Sequence, residues 1–327
     1  LSLSKSSMIW TDGSIIFINS SPNICWFQNL YMQVLSFYFL VFLLFLVFPI
    51  FYSFYLSFLG APTDFSLANM KFVGLANYAR IITDWQFWSS LCVTALYALI
   101  NIPCGIIASL GLALLLDNKL FGKSFFRSAF FLPNILDMLV VGVIWALIYA
   151  PKFGVLAQVS TLFLSDDNFF NSTGLLGSPY TALLAVIFAM TLKGAGFGMV
   201  LFLAALQNIP ADVYEAADID GANEWEKFYL ITVPLLKPII FFMVITGVIG
   251  SLNAFTEIYA MTAGGPQIVV GGETLGSTSV AGYYLYKQFD AGNYGYAAAI
   301  SYIMLIITLG LTWLQNKIAQ RKAGAKK

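Results

Sequence analysis

Residues 210–238 read PADVYEAADIDGANEWEKFYLITVPLLKP, a polar island caught between long apolar stretches. Asp212, Glu215, Asp218, Asp220 and Glu224 make it acidic. Pro210 suits the first turn of a helix, where a missing amide hydrogen costs nothing. Asp212 and Glu215 then fall near the positive end of the helix dipole, which favours carboxylates by about 0.3–1 kcal/mol. Gly221 permits the left-handed backbone that ends a helix. Asn223, followed three residues later by Glu226, predicts a capping pair that opens a second helix. That helix runs through Pro234 and Pro238 into the apolar stretch beyond. The bland reading is an interfacial turn with no partner. The sharper one is a helix outside the bilayer that a second molecule grips.

The rest of the chain sets this island in a membrane. Of 327 residues, 59% are hydrophobic and only 10% charged, where a soluble domain carries about 25%. The net charge is zero, which gives no electrostatic case for nucleic acid. Histidine is absent, which removes the commonest general base and metal ligand. Cys25, Cys92 and Cys104 form neither a C-x-x-C pair nor a disulfide framework and read as small packing residues. Apolar spans cover 34–59, 88–116, 128–150 (with Asp137), about 180–206 (with Lys193), 236–257 and 296–316. Each approaches or exceeds the roughly 20 residues that cross hydrocarbon, and each must be helical to satisfy its own backbone there. The expectation is an all-α membrane protein of about six transmembrane helices.

Basic residues orient it. Lys5, Lys119, Lys123, Arg127, Lys227, Lys237, Lys317, Arg321, Lys322, Lys326 and Lys327 belong to one side. The longer opposite loops carry only Lys71, Arg80, Lys152 and Lys287. The positive-inside rule puts both termini and the acidic island in the cytoplasm. The organisation expected is a segment 1–33 of no assigned role, a helical domain 34–318 and a basic cytoplasmic tail 319–327. The chain opens on Leu1, so a trimmed or misplaced start is expected.

Glu215, Ala216, Ala217, Gly221, Pro234 and Leu235 stand at the offsets of the EAA loop, and this chain resembles the binding-protein-dependent ABC importer permeases. Asn253-Ala-Phe-Thr-Glu257, Thr262-Ala-Gly-Gly-Pro266, Phe131-Leu-Pro133, Phe153-Gly154 and Leu203–Pro210 narrow the likeness to carbohydrate-uptake permeases of the maltose and glycerol-3-phosphate type, in particular the first of their two permease subunits. The likeness covers about residues 35–318 and departs at Asp137, where a small or apolar residue is expected. The resemblance implies a type I importer fold. It also implies a coupling loop at 207–234, with Glu215, Ala216, Ala217, Asp220 and Gly221 docking an ATPase. The implied partners are a second permease subunit, two ATPase copies that hold ATP and Mg, and an extracytoplasmic solute-binding protein. The location implied is the bacterial inner membrane, and this chain carries no catalysis and no cofactor of its own.

Ionisable groups inside spans are costly and face a cavity or a partner. Asn134 and Asp137 lie at i, i+3 on one predicted helix, and Asn253 and Glu257 at i, i+4 on another. Trp145, with Tyr149, can supply rings. Amides and carboxylates beside aromatic rings suit a sugar-like solute, so Asn134, Asp137, Trp145, Asn253 and Glu257 are the expected substrate pathway. Pairing between helices is the competing role for each, and Lys193 reads as structural or snorkelling. A disaccharide, an oligosaccharide, a glycoside osmolyte and glycerol-3-phosphate all remain open, the phosphate ester least favoured because the outward spans offer it little positive charge. An ion-coupled secondary transporter would need paired helix breaks and midplane ion ligands, and a membrane enzyme is poorly served by this composition. Cysteines placed at Asp167 and Gly272 should react with an impermeant thiol reagent from outside the cell, and one at Asn118 should not. Outside labelling of position 118 would invert the topology.

Overall fold

The computed structural model describes residues 7–11, 14–18, 22–60, 70–117, 121–163, 168–270 and 272–324. Lys5, Asn118, Lys119, Asp167, Lys326 and Lys327 lie outside them. The chain begins with a hairpin, β1 (Ser7–Thr11) on β2 (Ser14–Ile18), paired Ser7 to Ile18. Residues 22–56 form α1, which carries a five-residue π turn at Leu43–Val47. Then come α2 (Ala76–Thr83), α3 (Trp85–Asp117), α4 (Lys123–Ile135), α5 (Met138–Ile148), α6 (Ala182–Gln207) and α7 (Ala211–Ile219). The helix Glu224–Leu252 is α8, with a second π turn at Phe228–Thr232. It is followed by α9 (Thr256–Met261), the hairpin β3 (Gln267–Val270) with β4 (Glu273–Gly276), α10 (Ala281–Asp290) and α11 (Tyr294–Gly324).

Five helices among the described residues are long and apolar enough to cross a membrane, and the pair α4–α5, bent by 101°, makes a sixth if it is one broken span rather than a re-entrant loop. The sequence expectation of one continuous helix over 128–150 is therefore corrected to two helices that break at Leu136. Leu136 leaves α4 in an extended conformation (ψ 144°), and the Asp137 side chain caps α5 by accepting a hydrogen bond from the Leu139 amide at 2.8 Å. Asparagine and aspartate favour such caps, and here the cap wins over helix continuity. The strands are likewise an addition to the all-α expectation. Asp12-Gly13 between two β-branched runs is the local hairpin signal.

The centre of the bundle is α6. In its most apolar window 56% is buried, against 22% or less in the other four unbroken spans. It packs on α3 along most of its length and on α4, α8 and α9. In lipid, apolar side chains gain little by leaving acyl chains for another helix, so close van der Waals approach must hold the pair. Small residues provide it. A Cβ on Gly196 would sit 2.0 Å from the Phe130 carbonyl oxygen, and one on Gly198 2.3 Å from the Ser109 hydroxyl. Val186, Ala189, Met199 and Phe202 fill the remaining contacts and are fully or almost fully buried.

At one end of the bundle α2, α3, α10 and α11 meet around Asp84. Its Oδ1 accepts the amides of Gln86 at 2.9 Å and Phe87 at 3.2 Å, capping α3. Its Oδ2 accepts the hydroxyls of Tyr284, at 2.6 Å, and Tyr296. The Arg80 guanidinium lies 4.2 Å over the Tyr296 ring. Burial pushes the Asp84 carboxyl up, but these four hydrogen bonds outweigh it and hold it below its ordinary 3.8. Its stabilisation is complete above that value and is lost as the pH falls through the lower folded one. The end of α1 is secured nearby, where the Asn77 amide donates to the carbonyls of Ser57 at 2.9 Å and Leu59 at 2.8 Å.

Gly196→Val should force α6 away from α4, an overpacking cost of about 1–3 kcal/mol or more. Thermal unfolding of purified protein should fall accordingly. Gly194→Ala, whose added Cβ meets nothing within 4 Å, should leave it unchanged.

Candidate functional site

Two places gather the residues singled out in the sequence. The first is α7 and its joint with α8. Pro210 stands one residue before the helix, as its N-cap. At the other end Gly221 has φ +77°, the Ala222 amide donates to the Ala217 carbonyl and the Gly221 amide to the Asp218 carbonyl. This is the paired 6→1 and 5→2 bonding of a Schellman stop. Asn223 and Glu226 then form the expected capping box, at 2.9 and 2.7 Å. Both signals follow from local chemistry alone.

Glu215, Ala216, Asp220 and Gly221 are exposed, while Ala217 is buried against the chain itself. Only Ala216 of the two alanines is thus open to an approaching surface. The composition-based reading missed the apolar members of this surface. Ile219 is 87% exposed, Trp225 72% and Leu230 73%, with Tyr229 stacked on Trp225. Apolar side chains inside a polar island were the available signal.

The second place is a polar cavity of about 230 Å³ between α3, α4, α6, α8 and α9. Tyr97, Asn101, Asn134, Lys193, Ser251 and Glu257 line it, and Gly194, Gly247 and Gly250 leave it room. Glu257 is buried and accepts the Tyr97 hydroxyl at 3.3 Å. Lys193 donates to the Asn134 carbonyl at 3.5 Å, and Thr191 to the Asn101 side-chain oxygen at 3.4 Å. The Ser251 hydroxyl is buried with no hydrogen-bond partner among the described residues. Native buried polar atoms rarely stay unpaired, so this one is suited to a hydroxyl that arrives from elsewhere.

Of the expected pathway residues, Asn134 and Glu257 meet here. Asp137 does not. The α4–α5 bend separates it from the face of Asn134, and it is exposed as the α5 cap. Asn253 does not either, because α8 ends at Leu252 and Glu257 belongs to a separate helix. The Asn253 amide donates to the Ile249 carbonyl at 2.8 Å and faces another pocket with Phe255 and Tyr286. Trp145 packs on Tyr149 and Phe188 and lines an adjacent apolar groove of about 560 Å³ that also reaches Lys193. Lys193 and Ser251 come from different helices, which spacing along one helix does not bring together, whereas Tyr97 and Asn101 stand at i, i+4 on α3, a signal that the sequence did carry.

Residues 124–324 match the model of the family described as binding-protein-dependent transport system inner membrane component. The probable ABC transporter permease protein YurN of Bacillus subtilis is 38% identical over 249 residues, covering 75% of this chain and 82% of that protein. The trehalose/maltose transport system permease protein MalF of Thermococcus litoralis is 33% identical over 250 residues, covering 76% and 80%. A chain of a bacterial ABC transporter involved in the import of alginate, an acidic polysaccharide, superposes with a TM-score of 0.70 at 20% identity. That match covers 91% of this chain and 97% of the other, and it shows the same fold.

Glu257→Ala should leave the buried Tyr97 hydroxyl without its acceptor, at a cost of about 1–3 kcal/mol. Glu257→Gln, which keeps an acceptor oxygen, should unfold close to the unsubstituted protein in the same thermal melt.

Proposed function

The chain belongs to the binding-protein-dependent transport system inner membrane component family, and from that premise we propose that it is the permease subunit of an ATP-driven importer for a neutral sugar or sugar-derived solute. One observation carries the reading. A nine-residue helix, α7, lies outside the apolar spans, is stopped by Gly221 and is fixed to the start of a membrane-spanning helix. Its outer face, with Glu215, Ala216, Asp220 and Ile219, is open. Such a helix is built to be held by another subunit, an ABC ATPase that carries ATP and Mg. Two ATPase copies, a second permease and an extracytoplasmic binding protein complete the assembly, with both termini of this chain in the cytoplasm. This chain itself performs no catalysis.

The solute reading rests on the polar cavity. Amide, hydroxyl, lysine and carboxylate groups converge there, one lysine and one buried carboxyl among them. That mixture can match the donors and acceptors of a polyol, and it offers no surplus positive charge for a phosphate ester. A trehalose/maltose permease among the relatives supports a sugar. Asn134 and Glu257, together with Tyr97, Asn101, Lys193 and Ser251, are the groups proposed to receive it. Asp137, Trp145 and Asn253 are left to structural or entry roles.

Purification of the tagged chain from its native membrane should bring down an ABC ATPase and a second permease. A chain that elutes alone would overturn the reading. Gly221→Val sits at a positive φ where a β-branched residue costs about 1–2 kcal/mol, with no neighbour within 4 Å to clash. It should retain the assembly and lose most ATP-driven uptake of whichever labelled disaccharide the unsubstituted complex accumulates. Normal uptake would remove α7 from the coupling path.

A further inference from the structure

Both π turns end two residues before a proline: Leu43–Val47 before Pro49, and Phe228–Thr232 before Pro234. The cause is local. Proline lacks the amide hydrogen, and its ring collides with the carbonyl four residues back, which a widened turn relieves. The consequence differs between the two. The turn in α1 buries none of its residues. The turn in α8 buries Thr232 at 5% exposure and faces α7.

Two contacts close that face. The Tyr214 hydroxyl meets Thr232 Oγ1 at 2.9 Å. Thr232 spends its own proton on the Lys227 carbonyl at 3.3 Å, so Tyr214 is the donor. The Lys227 ammonium pairs with Asp218 and, at 2.7 Å, with Glu224. On α7, Tyr214 and Asp218 are four apart and share a side, about 6 Å from each other along the axis. On α8, Lys227 and Thr232 are five apart. In a helix of 3.6 residues per turn, five residues overshoot one turn by more than about a third of a turn. A turn bonded i to i+5 brings the fifth residue back to the same side. The π geometry is thus what lets one face of α8 hold both points of α7. Two points fix rotation as well as separation, where a single contact would leave a swivel.

We infer that the π turn at Phe228–Thr232 is a register element, and that Tyr214, Asp218, Lys227 and Thr232 are the positioning residues through which movement of α7 reaches the helix lining the polar cavity. The inference rests on the importer reading above and adds the residues of its transmission. It separates holding the ATPase, which belongs to the outer face of α7, from passing its motion inward, which belongs to this seam.

The test needs no knowledge of the solute. Gly250 lines the cavity on α8 and has open space for a side chain. In the full complex, with Cys25, Cys92 and Cys104 replaced by serine, Gly250→Cys reports cavity access through its rate of labelling by N-ethylmaleimide. The difference in that rate between nucleotide-free and vanadate-trapped complex is the readout. Thr232→Val should shrink it about fivefold, the scale of one hydrogen bond, while ATP hydrolysis and co-purification persist. Thr232→Ser should restore it. Asp218→Asn, at a carboxylate 61% exposed and thus safe for folding, should reduce it about twofold. It serves as the measure if the valine variant does not assemble. An unchanged difference in Thr232→Val, or equal losses in the valine and serine variants, would overturn the seam. Failure of the unsubstituted chain to bind an ATPase would instead remove the importer reading beneath it.

Discussion

Hydrocarbon offers helices no hydrophobic reason to choose each other over lipid, and that constraint decides where this molecule can be rigid. It is rigid where backbones touch. Gly196 against the Phe130 carbonyl and Gly198 against Ser109 bring α4 and α3 onto α6 at distances that no side chain would allow. The remaining spans are arranged around that axis, and the large aromatic and aliphatic side chains on their outer faces stay exposed. Leucine and phenylalanine make the chain soluble in lipid. Glycine, alanine and serine make it a particular structure.

The same close approach creates the polar cavity. Where Gly194, Gly247 and Gly250 withdraw side chains from between α6 and α8, space opens that Asn134, Lys193, Tyr97 and Glu257 enter from four directions. Polar groups in such a setting are costly unless paired, and most of these have a partner within the chain. Ser251 has none. Packing and recognition therefore share their residues, and the cavity cannot be redrawn without disturbing the helix contacts that shape it.

What was legible in the sequence was whatever depends on neighbours along the chain. The spans followed from length and charge. The stop at Gly221 and the box of Asn223 with Glu226 followed from capping chemistry, and the acidic island followed from contrast with its flanks. What depends on a bend or on neighbours across the bundle was hidden. Asp137 looked aligned with Asn134 because the break at Leu136 is a choice between a cap and a continued helix, and hydropathy does not register that choice. Asn253 looked aligned with Glu257 for the same reason, since the helix stops between them. The Asp84 junction joins residues some 200 positions apart, beyond any local pattern. The π turns had a visible trace in Pro49 and Pro234, each two residues beyond the widened turn.

The first span stands apart from all of this. None of its most apolar window is buried within the chain, and among the described residues its ties gather toward its C-terminal end. The Tyr302 hydroxyl reaches the Ile50 carbonyl at 2.6 Å, and Asn77 secures the last carbonyls. This helix needs no other span to rest in lipid, because its backbone is satisfied internally. Its docking residue on α11 lies some 250 positions later. The span is therefore a free-standing helix in lipid, joined to the bundle through a distant stretch of the chain rather than through a shared buried core.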